Sequence, residues 1–263
     1  ALAEVGGKGL FVKELEVAMQ EGRADIAVHS MKDVPSELPA GFAIVAVLPR
    51  ANPHDAFLSR RYQRFAELPQ GARVGTSSPR RQSQLRHARP DLRLELLRGN
   101  VDTRLRRLDE GELDAILLAC AGLERLGIAH HITQQLDVEL SLPAVGQGVI
   151  GIESRADDQR SRTALAALHH ADSFTRLVAE RSFAATLGGS CHSPIAAHAT
   201  LDGGTLVVHG FIGAPDGSET YRDRVSGPAA EAESLGRGLA RRMQSAGAET
   251  LLERLRQEAA ASS

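Results

Sequence analysis

There is no tryptophan in this 263-residue chain, and aromatic residues together make up only 3%. A protein that recognises single-stranded nucleic acid by stacking bases on rings would have almost nothing to build with. The net charge of −2 argues equally against a general basic coat for nucleic acid. No apolar run approaches the ~20 residues needed to span a bilayer, and no basic-then-apolar leader opens the sequence. Nothing here marks a membrane or export, so a cytoplasmic chain is expected. Two cysteines in unlike settings make no disulfide framework. His169-His170 has no companion ligands at metal spacing, so no metal is expected. Lysine is scarce as well: Lys8, Lys13 and Lys32 are its only members.

What is present is globular. The apolar fraction is 42% and the charged fraction 24%, and the length allows two or three domains. Helix and strand patterns alternate over the first part of the chain. Phe11, Leu15, Ala18 and Met19 share one apolar face of a helix over 10–21, which Gly22 ends. Ala24–His29 reads as a buried strand and Phe42–Leu48 as a second. Pro49–Pro53 is a crossing into a second lobe. There, Arg73–Gly75 ends a strand, Ser78 caps a helix begun by Pro79, and Asn100 caps another. Leu113–Ala119 is an apolar strand. An internal echo links the lobes: Glu21-Gly22-Arg23-Ala24-Asp25-Ile26-Ala27-Val28 against Glu110-Gly111-Glu112-Leu113-Asp114-Ala115-Ile116-Leu117. Continuous apolar strands imply parallel sheets, which bind ligands beyond the carboxyl ends of their strands. Leu142–Gly148 is a second crossing, after which Val149–Glu153 returns as a strand to the first lobe. From about Asp172 the pattern changes to a helix, three strands and a long closing helix. The expected fold is α/β: two similar hinged lobes and a C-terminal α+β domain with a three-stranded antiparallel sheet. The boundaries are residues 1–49 with 147–168, then 54–142, then 171–263.

Four sets of residues could carry chemistry. Cys191 lies in Leu187-Gly188-Gly189-Ser190-Cys191-His192-Ser193-Pro194, an exposed turn, whereas Cys120 sits in an apolar run where an inert thiol is expected. A Cys191/His192 nucleophile pair is disfavoured, because adjacent residues rarely present both groups to one substrate. Arg80 and Arg81 occupy the first turn of a helix, where the macrodipole disfavours cations. With Ser77, Ser78 and free backbone N–H groups they describe an anion site, and Arg98 and Arg104 add to the same wall. Several arginines suit a ligand with several carboxylates. Asp33, after Lys32, is one carboxylate among many cations, placed to stabilise positive charge on a ligand. The Ser30–Asp33 loop, the Thr76–Ser78 turn and the Arg98–Asn100 turn all lie at strand ends.

Six motifs in order resemble a known family: Val5-Gly6-Gly7-Lys8-Gly9-Leu10-Phe11, Ala27–Pro35, Gly75–Arg81, Leu97–Val101, Leu142–Gly148 and Gly188–Cys191. They are similar to hydroxymethylbilane synthases, also called porphobilinogen deaminases. The resemblance implies lobes like type II periplasmic binding proteins. It also implies a transferase of porphyrin and heme biosynthesis, which joins four porphobilinogen units head to tail and loses ammonia at each step. Linear hydroxymethylbilane is then released by hydrolysis. The primer would be a dipyrromethane cofactor held by a thioether to Cys191. Asp33 matches the catalytic aspartate, which holds pyrrole N–H groups and stabilises the azafulvene cation. Lys32, Ser78, Arg80, Arg81 and Arg104 match cofactor-binding positions. Arg98 and Arg104 match substrate-binding positions, with Ser30, Thr76 and Ser77 beside them and Lys8 and Arg125 more peripheral. Porphobilinogen is the implied partner of a monomer, with no nucleic acid or membrane. The family also carries a strand and helix before Val5, with an Arg-x-Ser-x-Leu-Ala motif that this sequence does not include. A chain without them is expected to be less stable and impaired in turnover. The competing readings are a non-enzymatic polycarboxylate binder on two hinged lobes, and an arginine-rich nucleic-acid binder. Asp91, Glu95 and Asp102, interleaved with the arginines, disfavour the latter.

Overall fold

Gly22 and Gly111, the two glycines of the internal echo, both take left-handed backbone, at φ 71° and 75°. Each ends a helix and turns the chain into a strand, which is what glycine after a helix allows. The computed structural model describes residues 7–188 and 193–261, with side chains for 12–188 and 193–258. The chain runs through α1 (Gly7–Gln20), β1 (Ile26–Ser30) and β2 (Phe42–Val47). Then follow β3 (Asp55–Leu58), β4 (Arg73–Gly75), α2 (Pro79–Ala88), β5 (Arg93–Glu95) and α3 (Val101–Asp109). Next come β6 (Ala115–Ala119), α4 (Cys120–Arg125) and β7 (Gln134–Gln135), before β8 (Ile150–Arg155) and α5 (Gln159–Leu165). A longer helix, α6 (Ala171–Thr186), leads to β9 (Ile195–Asp202), β10 (Thr205–Gly213) and β11 (Thr220–Pro228). The helices α7 (Ala232–Met243) and α8 (Glu249–Ala261) close the described chain.

Three sheets result, in the orders β1-β8-β2, β5-β4-β6-β3-β7 and β11-β10-β9. The chain therefore leaves the first sheet after β2, builds the second, and returns with β8, as the two crossings require. The α/β architecture with a separate antiparallel sheet is as expected, but the strand directions are not. In the first sheet both β1 and β2 pair antiparallel to β8. In the second, β4 lies parallel to β5 and β6, while β3 lies antiparallel to β6 and β7. β3 is a fully buried strand that hydropathy did not mark, because it is short and begins with Asp55.

Burial also differs from the periodic reading. β1 is not buried throughout: Ala27 and His29 face inward, while Ile26 and Val28 are exposed. An antiparallel strand covered on one face alternates in this way. On α1 the inward residues are Val12, Glu16 and Met19, and Leu15 is exposed. The helix is rotated by one position because Glu16 turns towards the buried pair His29 and Glu153. The closing helix is two helices, broken at Gly247 (φ 118°), where a Cβ would stand 2.8 Å from the Tyr221 hydroxyl.

Candidate functional site

The arginine wall starts with the cap of α2. Ser78 is extended, its hydroxyl accepts from the Arg81 N–H, and Pro79 takes the first helical position. Thr76 is a brace beneath it. It is fully buried, its Oγ1 accepts from the Ser78 N–H, and its own N–H donates to the Glu95 carbonyl. Ser77 and Ser78 are half-buried.

Arg80 and Arg81 are not open to solvent, at 4% and 7% exposure. Both donate to Asp55: Arg80 Nη1 to Oδ2 at 2.7 Å and Nη2 to Oδ1 at 3.1 Å, and Arg81 Nη2 to Oδ1 at 2.6 Å. Ser141 Oγ and Gln147 Nε2 complete the shell around the carboxylate, at 2.6 and 2.9 Å. Two guanidinium groups hold the Asp55 carboxyl far below the usual carboxylate range, against the opposing effect of burial. Asp55 is the residue that the sequence reading missed. Its signal was an acid at the head of the apolar run Ala56-Phe57-Leu58, where a buried carboxylate demands a partner. The two arginines thus carry their own structural counter-ion. Two donors remain over: Arg80 Nε and Arg81 Nε are buried and have no acceptor among the described residues.

Arg104 is different. Its Nε donates to the Gly99 carbonyl at 2.8 Å, and among the described residues it has no carboxylate within ion-pair reach. Burial and the nearby Arg81 charge both push its pKa down. A half-buried cation crowded by another cation calls for an anion from outside. Arg98, on the turn before the Asn100 cap, is exposed. Arg125 does not join this group; it donates to the Gly148 carbonyl at 2.9 Å.

Asp33 ends a short 3-10 turn, Met31–Asp33, that leaves β1 through Ser30. Lys32 and Asp33 are half-buried, and Met31 is fully buried. The Met31 N–H donates to the Val149 carbonyl at 3.0 Å. Its side chain fills space left by two glycines: a Cβ on Gly151 would meet Met31 Sδ at 2.2 Å, and one on Gly146 would meet Met31 Cβ at 2.9 Å.

The second crossing ties these parts together. Arg80 Nη1 donates to the Leu142 carbonyl at 2.6 Å, and Gln147 binds Asp55 from the same segment. Gly146 packs on Met31, and its N–H donates to Glu180 Oε2 of α6 at 2.8 Å. Gly148 (φ 85°) lies so close to the first crossing that a Cβ would stand 2.5 Å from the Ala51 carbonyl. Arg50 of the first crossing binds Glu180 as well, Nη1 to Oε1 at 2.5 Å. The Asp33 turn and the Asp55–Arg80–Arg81 cluster are therefore built onto one short stretch of chain.

Cys120 is buried, and burial first, then the Asp55 charge, pushes its thiol up to about 12. It is inert as a nucleophile at neutral pH. Cys191 and His192 lie outside the described residues, as does the Lys8 side chain. The ends of the cysteine loop are held: Leu187 is buried and accepts from Arg256 Nη2, and the Pro194 carbonyl accepts from the Gly213 N–H. Among the described residues, no group of His, Cys, Asp or Glu could hold a metal ion, and no helix is long and apolar enough to cross a membrane.

The described residues define an α/β protein of two sheets joined by a double crossing, with a buried arginine pair on the second sheet and a third unit built on an antiparallel sheet. A family model described as "Porphobilinogen deaminase, dipyromethane cofactor binding domain" matches residues 1–163, and the C-terminal domain model of the same family matches 174–245. The chain belongs to the porphobilinogen deaminase family. It is 53% identical to the porphobilinogen deaminase of Trichlorobacter lovleyi over 96% of this chain and 80% of that one. It is 54% identical to that of Chromobacterium violaceum over 95% and 81%. Among solved structures, a methionine-binding lipoprotein of Bacillus subtilis covers 63% of this chain and 78% of its own, at 13% identity and a TM-score of 0.41. That likeness is too slight to carry an argument.

Proposed function

We propose that this chain is a hydroxymethylbilane synthase, which condenses four porphobilinogen molecules with loss of ammonia and releases the linear product. The observation that carries the reading is Arg104, a half-buried cation set against Arg81 with no carboxylate of its own among the described residues. The orphaned Nε–H groups of Arg80 and Arg81 suit the same ligand, one bearing several carboxylates. These donors fit a dipyrromethane cofactor with acetate and propionate arms, tethered to Cys191. When bound, that group would supply the pyrrole carbon to which the first unit is added.

The residues of the chain divide the remaining work. Lys32, Ser78, Arg80, Arg81 and Arg104 hold cofactor carboxylates. Arg98 and Arg104 hold those of incoming porphobilinogen, with Ser30 and Ser77 beside them, Thr76 bracing the turn from beneath, and Lys8 and Arg125 at the periphery. The Asp33 carboxylate accepts from a pyrrole N–H and stabilises the positive charge that grows on the substrate as the amine leaves. Residues 1–49 with 147–168 and residues 54–142 form the two lobes that bear the charges. Residues 171–263 form the domain that bears the tether.

Intact mass is the direct test. Protein made with porphobilinogen available carries the extra mass of two linked pyrroles, and Cys191→Ser does not. An unmodified wild-type chain removes the cofactor assignment. Asp33→Asn keeps the cofactor but loses turnover, because a neutral amide cannot balance the developing cation; unchanged turnover removes Asp33 from the chemistry. Arg104→Gln raises KM for porphobilinogen by roughly tenfold, the equivalent of ~1.4 kcal/mol of one charge-assisted contact, and leaves stability within ~0.5 kcal/mol. An unchanged KM would remove Arg104 from the binding site.

A further inference from the structure

We propose that Arg181, on α6 of the third unit, is a positioning residue for Asp33. The proposal rests on the synthase reading above and adds to it a residue that no motif singled out. Arg181 Nη2 donates to the Pro35 carbonyl at 2.7 Å and the Ser36 carbonyl at 2.8 Å, and Nη1 reaches the Val34 carbonyl at 3.4 Å. These three carbonyls begin with the residue directly after Asp33.

The far end of the turn that carries Asp33 packs through Val34 in the apolar core, and Arg181 holds the carbonyls that follow. Pro35 has no N–H, and the Val34 N–H is used within the turn, donating to Met31 at 3.3 Å. The near end is fastened by Met31, through its bond to Val149 and its packing on Gly146 and Gly151. Asp33 therefore sits on an arch pinned by β8 on one side and by Arg181 on the other. The planar fork of a guanidinium can span three successive carbonyls, which the single nitrogen of lysine cannot do. Burial disfavours the Arg181 charge, and Glu153 on β8 offsets this across the interface. Leu177, one turn earlier on α6, packs in the same core as Met31 and Val34.

The location gives the contact its meaning. Arg181 lies on the helix whose C-terminal end runs into the Cys191 loop. One rigid element thus touches the loop of the acid and runs on, in sequence, to the segment that carries Cys191. A misplacement of the acid by about 1 Å is enough to cost ~100-fold in rate.

An open groove of about 680 Å³ gives access to this contact; Ser36, Leu38, Phe174, Val178 and Arg181 are among its walls. That opening makes chemical rescue the test. Arg181→Ala, Arg181→Lys and the packing control Val178→Ala are prepared as full chains with porphobilinogen available. Intact mass, kcat, KM and Tm are measured for each, with and without methylguanidinium below denaturing concentrations. In Arg181→Ala the cofactor mass is kept, kcat falls roughly 10–100-fold, and KM stays within about threefold. Methylguanidinium restores part of kcat in this variant and does nothing for wild type. Val178→Ala loses a comparable amount of Tm without the loss of kcat. If Arg181→Ala does not fold, Arg181→Lys decides, with kcat down about 3–10-fold at near-normal Tm. Wild-type kcat in the Arg181 variants, a loss no greater than that of Val178→Ala, or no rescue would overturn the proposal while the synthase reading stands. A wild-type chain without cofactor or turnover would overturn the synthase reading, and the proposal with it.

Discussion

The two lobes solve the same problem differently. The second lobe surrounds its sheet with apolar clusters of its own. Leu58, Leu97, Ile116 and Leu118 lie in one, and Phe57, Val74, Leu85 and Leu117 in the other. Its site is stiffened from within, by an aspartate on the interior strand β3 that binds Arg80 and Arg81 of α2. Among the described residues, the first lobe has three strands and a small core of Met31, Val34, Val47 and Val149, completed by Leu177 from the third unit. Its outer face shows Val28 at 60% exposure. Its acid loop is held from outside, by Arg181. A lobe with a deep core can support a site alone, whereas one with a shallow core takes that support from a neighbour.

Breaking the internal support of the second lobe has the largest expected effect. Asp55→Ala leaves two buried guanidinium groups without a counter-ion and costs ~3–5 kcal/mol in urea unfolding. A loss under ~1 kcal/mol would mean that the arginines are held by other groups. Wild-type stability should draw no pH dependence from Asp55 between about pH 5 and 8. Its folded pKa is depressed, so its contribution is present above the unfolded value near 3.8 and is lost progressively as pH falls below about 5.

The third unit, which supports the first lobe, has a pH-sensitive point at His198. Burial first, then Arg50, pull its pKa down from 6.5 to about 4, despite the nearby Glu180. Below pH 6.5 the unfolded chain binds a proton that the folded one refuses. This stability is present above the unfolded value and lost as pH falls towards 4. The loss over that window is up to about 3 kcal/mol. His198→Leu should flatten the wild-type curve there, and an unchanged slope would place the titration elsewhere.

A matched pair isolates the difference between the sheets at smaller cost. Val74→Thr, at a fully buried position in β4, buries a new hydroxyl and costs ~1–3 kcal/mol. Val28→Thr, on the open face of β1, stays within ~0.5 kcal/mol. Equal losses would mean that the two strands are equally enclosed.

Much of this was legible in the residues. The Ser78 and Asn100 caps, the glycine stops at 22 and 111, the return of the chain as β8 and the inert Cys120 all follow from local rules. So does the Asp33 turn at the end of a strand. The misses share one cause. β3 and the antiparallel pairing of the first sheet depend on partners far along the chain, as does the rotation of α1 towards Glu153. Asp55 and Arg181 were passed over because each is ordinary beside its sequence neighbours. Their partners are 25 to 26 and 145 to 147 residues away.

By itself the sequence determined the family, the turn chemistry and the surplus of arginine that asks for a polyanion. Those are properties of short motifs and of composition, written where they act. Only the tertiary structure decided which arginines keep an uncompensated charge. Pairing is set by distance in space: Arg80 and Arg81 meet Asp55, while Arg104 meets a carbonyl and another cation. Identical side chains thus become, in one case, a clamped pair with only its Nε donors left over and, in the other, a cation with no carboxylate among the described residues.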